Sequence, residues 1–260
     1  MPNTLPFQST KLYSQADFES YREDFRRELD ARYLFECESG TNLVGDTHSG
    51  SCGYCLVSTE FRSLITDTSP DWPEQQFCAC SNRLSCKERA LAHFISSVVG
   101  LETWKKTLFL GAADRVAHAF RGNGDFIHAR ALVSCPDGLL AVPGSSTGEV
   151  AKECDFHTVV SFDYLADTPL WKDALGAIRR VMMPGASFVF TVPFSVSLSV
   201  SELLTGTTAH DLLSPPRHVF GWDLIDAAKE AGFADICAHL FWSAELGYLG
   251  SCNLLFHASA

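Results

Sequence analysis

FHTVVSFDYLADTPLWKDALGAIRRVMMPGASFVFTVPF, residues 156–194, decides the fold. Its first part, FHTVVSFDYL (156–165), sets Val and Phe in series and predicts a strand that is apolar on both faces. WKDALGAIRRVM (171–182) repeats apolar residues at helical steps and stops at Pro184-Gly185. ASFVFTVPF (186–194) is again a fully apolar strand. Two strands apolar on both sides and joined by a helix form a parallel crossover, buried between helical layers.

The same alternation extends outward. Upstream, TLFLG (107–111) is a short apolar strand, DRVAHAFRG a helix ending at Gly122, and DFIHARAL (125–132) a further strand. The Gly122-Asn123-Gly124 triplet sits between helix and strand and reads as a turn. Downstream, GWDLIDAAKEAGF (221–233) is a helix closed by Gly232. ADICAHLFW and SCNLLFHAS then read as an antiparallel pair at the sheet edge. The expected fold class is α/β, a Rossmann-like, open, mostly parallel seven-stranded sheet with helices on both faces.

The remainder differs in character. Residues 13–38 place Phe18, Tyr21, Phe25 and Leu29 at steps of three and four, the pattern of an amphipathic helix. Residues 39–90 are rich in Gly, Ser, Cys and Pro, with little periodicity. The chain therefore divides into an N-terminal helical or lid segment (1–50), a cysteine-rich module (51–90) and an α/β domain (91–260). With 260 residues, 46% hydrophobic and 20% charged, a sizeable core is available and disorder is excluded as a general state. The net charge of -11 carries no clustered Lys and Arg of the kind that neutralises phosphates, so no nucleic-acid partner is expected. The polar start has no signal-peptide pattern and no apolar run reaches 18 residues; the expectation is a cytoplasmic protein without membrane attachment.

Residues 156–194 resemble the segment of class I S-adenosylmethionine (SAM) methyltransferases that holds their fourth strand, the next helix and the fifth strand. The matching positions are Asp163, Tyr164-Leu165, Arg180-Val181, Pro184-Gly185 and Phe188 to Pro193. RHVFGWDLIDAAKEAGF (217–233) resembles the family's His, Trp and Ala-Gly-Phe stretch. The resemblance implies SAM as cofactor, held near Gly111, Ala112, Ala113, Arg130, Asp163, Tyr164 and Leu165. It also implies His218 as a base or substrate-binding group, with Tyr164 facing the sulfonium or the acceptor. His210 and Glu245 are weaker candidates, and His157, inside a strand, reads as structural. Tyr13, Phe18 and Tyr21 would serve either as a lid or as plain packing. The turn after the first strand, Leu110-Gly111-Ala112-Ala113-Asp114-Arg115, has one glycine, and Phe109 stands where the family usually has an acid. The stretch Ile127-His128-Ala129-Arg130 lacks the acid that would bind ribose.

Five of the ten cysteines fall between Cys52 and Cys86. Cys52-Gly-Tyr-Cys55 and Cys78-Ala-Cys80 are two pairs of the kind that fold a loop-rich unit around a structural Zn2+, with Cys86 a competing fourth ligand. Free buried thiols, or redox or catalytic cysteines, are the other readings. Such a module before a SAM domain resembles that of some methyltransferases of natural-product and sugar biosynthesis. The function implied is methyl transfer to a small-molecule biosynthetic intermediate. The alternatives are a SAM-using displacement or elimination, and a SAM-independent binding or scaffold protein. The sequence leaves the oligomeric state open.

Overall fold

The computed structural model describes residues 6–42, 47–63, 76–79, 83–100, 106–111, 113–120, 125–135, 138–143, 150–151, 155–204 and 217–260. In chain order the first elements are β1 (Thr10–Leu12), α1 (Gln15–Asp24), α2 (Arg26–Asn42), β2 (Thr47–Ser51), β3 (Ser58–Ser63), β4 (Gln76–Phe77) and α3 (Cys86–Phe94). There follow β5 (Thr107–Gly111), α4 (Asp114–Ala119), β6 (Phe126–Cys135), β7 (Gly138–Pro143), β8 (Val150–Ala151) and β9 (Phe156–Phe162). The last are α5 (Trp171–Val181), β10 (Met182–Thr191), β11 (Glu202–Leu204), β12 (Arg217–Val219), α6 (Asp223–Glu230), β13 (Asp235–Ser243) and β14 (Tyr248–Ser259). None of the described helices is long and apolar enough to cross a membrane.

The main sheet has the order β1-β13-β14-β10-β9-β5-β6-β7-β8. Its centre is parallel: β6 pairs with β5, β5 with β9, and β9 with β10. Its flanks are antiparallel, with β14 on β10 at one side and β7 and β8 beyond β6 at the other. This is the open Rossmann-like α/β sheet expected, extended to nine strands among the described residues.

Two compact units divide the chain, and β13 and β14 run through both. One unit comprises Tyr13–Gln15, Glu102–Ala238 and Leu255–Ala260. Strands β5 and β9 are largely buried, and β10 is buried from Phe188 to Thr191, as strands covered on both faces require. Trp171, Leu175, Ile178 and Val181 line the buried stripe of α5, and Leu224, Ile225 and Ala228 that of α6. Phe188 stacks on Phe190 and Phe233, and Phe190 on Phe256, tying β10 to β14 and to the end of α6. Burying each such ring stabilises by about 1.5–3 kcal/mol. The strand expected to start at Ala186 starts at Met182: Met182 pairs with Phe156, the ladder breaks around Gly185 (φ +76°), and pairing resumes at Ser187. The Pro184-Gly185 turn is thus an irregularity inside a strand.

The other unit comprises Met1–Leu12, Ala16–Leu101 and His239–Leu254. The single amphipathic helix expected over 13–38 is two helices, bridged at Phe25 by hydrogen bonds from Phe25 N to Tyr21 O and from Leu29 N to Phe25 O. Phe18 and Tyr21 are buried, while Phe25 remains 44% exposed. The cysteine-rich stretch contains the antiparallel sheet β2-β3-β4. A capping box starts α3: Ser85 Oγ accepts from Glu88 N, and Glu88 Oε2 accepts from Ser85 N at 2.7 Å. Helix α3 is buried all round, Arg89 and His93 included.

Candidate functional site

In the α/β unit the chain passes from β5 to β6 on one side and from β9 to β10 on the other. The switch point therefore lies between β5 and β9, and the crevice where such sheets bind ligands opens beyond their carboxyl ends. Gly111 pairs with Phe162 at that level, and both strands leave it by a left-handed residue, Gly111 at φ +72° and Asp163 at φ +53°. A non-glycine residue holds such a conformation only where its surroundings over-determine it.

They do so at Asp163. Its Oδ1 accepts from Thr191 Oγ1 at 3.1 Å, and its Oδ2 from Arg217 Nη2 at 3.1 Å. Arg217 also donates from Nε to Asp167 Oδ1 at 2.9 Å, clasping the loop after β9 from both ends. The backbone N–H of His218 donates to Ala166 O at 3.0 Å, so β12 lies along the same loop. Asp163, Tyr164 and Leu165 are all buried.

Gly111 is needed for a close approach within the protein. A Cβ there would lie 2.8 Å from Tyr164 Cβ and 3.2 Å from Tyr164 Cα. The Gly111 carbonyl lies 3.2 Å from His128 Nε2, and His128 Nδ1 is 3.2 Å from Asp114 Oδ1. His128 thus lies between the end of β5 and the start of α4. The Phe109 ring packs against Phe120 and Phe126. Ala113 is buried at the start of α4. Ala112, His210 and the Arg130 side chain lie outside the described residues.

His218 sits in β12, paired with Leu203 of β11. Among the described residues its Nδ1, which is buried, has no hydrogen-bond partner, and neither has the buried Ser161 Oγ on β9. A buried polar atom left unpaired costs about 1–3 kcal/mol and calls for a reason. The site thus brings together Asp163, Tyr164, Leu165, Gly111 and His218 from separate parts of the sequence. It adds three residues that sequence reasoning did not single out: Thr191, Arg217 and His128. Arg217 adjoins His218 in the Pro-Pro-Arg-His stretch, and His128 stands in the segment searched for a ribose acid.

In the other unit, Cys52, Cys55 and Cys78 place their sulfurs within 4.8 Å of one another. Cys52 follows β2 in a tight turn, with Leu56 N donating to Cys52 O and Cys52 N to Val57 O. Cys78 follows β4, and its thiol donates to Thr59 Oγ1 at 3.6 Å. The Cys55 and Cys78 sulfurs are 3.8 Å apart, far beyond a disulfide bond. Four sulfurs about 2.3 Å from a tetrahedral Zn2+ stand about 3.8 Å from each other, so this spacing fits the metal. Its hydrogen bond to Cys78, followed by burial, pushes the Cys52 thiol far above its ordinary range. Cys86 is not part of the trio; its thiol faces Leu249 O at 3.9 Å. Cys80 lies outside the described residues. The Glu245 carbonyl accepts from Ser51 N at 2.8 Å, so this part of the hairpin seats β2. Tyr21 stacks on Phe25 at 4.6 Å, as packing.

No family model matches the chain, and no curated protein sequence does. Among solved structures it is similar to a SAM-dependent methyltransferase from Archaeoglobus fulgidus, at 12% identity and TM-score 0.44, over 68% of this chain and 96% of that one. It is also similar to the 1,6-didemethyltoxoflavin-N1-methyltransferase of Burkholderia thailandensis, solved with 1,6-didemethyltoxoflavin and S-adenosylhomocysteine bound. Here the identity is 16% and the TM-score 0.43, over 66% and 77% of the two chains. A third is an S-adenosylmethionine-dependent methyltransferase from Mesorhizobium loti, at 13% identity and TM-score 0.39, over 62% and 92%.

Proposed function

We propose that the α/β unit is a SAM-dependent methyltransferase acting on a small-molecule acceptor, with a structural zinc module in the other unit. The observation that carries this reading is the unpartnered Nδ1 of His218, held beside the β9 loop at the switch point. Residues Gly111 to Ala113 and Asp163 to Leu165 would hold the cofactor, and SAM would supply an electrophilic methyl group. Tyr164 would offer an aromatic face to a cation. His218 would take a proton from the acceptor at a ring nitrogen and orient its nucleophile. Cys52, Cys55 and Cys78 would hold Zn2+ with one further ligand and order a stretch too polar to order itself by burial.

A second reading, a SAM-independent binding or scaffold protein, is favoured by specific contacts. Tyr164 covers Gly111, His128 approaches its carbonyl, and Arg217 and Thr191 engage both oxygens of Asp163. Titration calorimetry with SAM and S-adenosylhomocysteine separates the two. Micromolar binding of either supports the transferase, and no heat at millimolar ligand removes it. Methylthioadenosine formed without a methylated product would point instead to displacement or elimination.

A further inference from the structure

Arg89, in the middle of α3, exposes none of its surface. Its Nη1 donates to the carbonyls of Gln76 at 2.7 Å and Leu84 at 3.4 Å, and its Nη2 to that of Gly247 at 2.6 Å. Its Cζ lies 4.2 Å from the centre of the Phe61 ring and 5.9 Å from that of Tyr248. Among the described residues its Nε has no partner and no carboxylate pairs with it. Carbonyls and ring faces solvate a guanidinium, but they supply no counter-charge to one removed from water.

A candidate counter-charge lies on the other side of the Phe61 cluster. Phe61 packs in a single cluster with Cys52 and Cys78, with Cys55 against it, and the same ring carries Arg89. Gly247, whose carbonyl Arg89 holds, also rests on Phe61: at φ +62°, a Cβ there would lie 2.5 Å from the ring.

We infer that Arg89 is the counter-cation of a metal–thiolate centre at Cys52, Cys55 and Cys78, so that metal binding and the closed Gly247 turn stabilise one another. The inference rests on the zinc reading proposed above. Three thiolates around a divalent cation leave about one net negative charge, and a fourth thiolate would add another, so a neighbouring guanidinium offsets at least part of it. Loss of the metal then leaves Arg89 uncompensated and loosens the carbonyls it gathers from β4, the start of α3 and the β13–β14 turn.

The test uses the full chain, stripped with a chelator and titrated with Co2+ and Zn2+. Cobalt–thiolate absorbance reports tetrahedral binding, and competition against a chromophoric chelator gives the zinc affinity. Arg89→Met should weaken zinc binding by about tenfold or more, the usual scale for a residue behind the ligands, and Arg89→Lys by less because it keeps the charge. Amide exchange of the unaltered protein needs no variant: stripping the metal should speed exchange at Leu246 and Gly247. Unchanged affinity in Arg89→Met together with unchanged exchange at the turn overturns the inference and leaves the zinc reading standing. If Arg89→Met does not fold, the exchange measurement decides alone. An unaltered protein that takes up neither metal removes the zinc reading and the inference with it.

Discussion

Arg217 holds Asp163. The guanidinium donates to one carboxylate oxygen at 3.1 Å while the Thr191 hydroxyl donates to the other at 3.1 Å. The residue that the family resemblance makes a cofactor ligand thus anchors the loop between β9 and α5. Arg217 is 47% exposed, so water screens the ion pair and reduces its worth, whereas the Thr191 bond is buried. Asp163→Ala should therefore lower unfolding free energy by about 1–3 kcal/mol, chiefly through the lost buried hydrogen bond and the left-handed backbone. Asp163→Asn, which tolerates positive φ and can still accept from Thr191, should lose less. Urea midpoints ranking the native protein above Asp163→Asn and that above Asp163→Ala bear this out; equal midpoints refute it.

Gly111 meets Tyr164 at the same edge. Gly111→Ala would place a methyl 2.8 Å from Tyr164 Cβ at a φ of +72°. Both the contact and the left-handed backbone oppose it, so a loss of about 2–4 kcal/mol is expected. Tyr164→Gly in the same chain, which removes the Cβ that the methyl would strike, should recover most of the contact part and leave the backbone part. A double-mutant cycle measures this coupling, and strictly additive losses would show that Tyr164 is not what the glycine accommodates.

The thiol trio predicts bound metal. Protein purified without chelator should carry about one zinc per chain, and Cys52→Ser, Cys55→Ser or Cys78→Ser should each reduce it severalfold. Protons compete with the metal for thiolates, so zinc should leave as pH falls, and its release should coincide with unfolding of the β2-β3-β4 sheet. Metal analysis at less than about a tenth of an equivalent in the unaltered protein would end the assignment.

How much of this was legible depended on whether a signal was local. FHTVVSF announces a strand by its Val and Phe in series and ASFVFTV by its apolar run, and Trp171, Leu175, Ile178 and Val181 announce α5 by their spacing. The hairpin of β6 and β7 has a local sign as well: Pro136-Asp137-Gly138 is a turn sequence between two apolar runs, and it outweighs the parallel crossover that the neighbouring strands suggest. The clasp on Asp163 has no such sign, since Thr191 and Arg217 stand 28 and 54 residues away from it. Spacing implied a four-thiol site at Cys52, Cys55, Cys78 and Cys80 with Cys86 competing; the structure gathers the first three, and only packing shows that Cys86 turns to Leu249. The burial of Arg89 runs against its polarity and could not be read from α3 alone.

His218 offers the sharpest test of chemistry against architecture. An unpaired buried Nδ1 burdens the fold, so replacing the ring by an apolar one of similar shape should relieve that cost. His218→Phe keeps the backbone N–H that donates to Ala166 and keeps an aromatic near Phe220. If the imidazole serves the reaction, the variant should hold or gain stability, by up to about 1 kcal/mol, while methyl transfer falls by about 10²-fold, the low end for loss of a proton-transfer group. Opposite signs in the two measurements distinguish a residue retained for function from one retained for packing. A His218→Phe protein that melts several degrees lower yet turns over normally would show that the ring packs the β12 hairpin and nothing more.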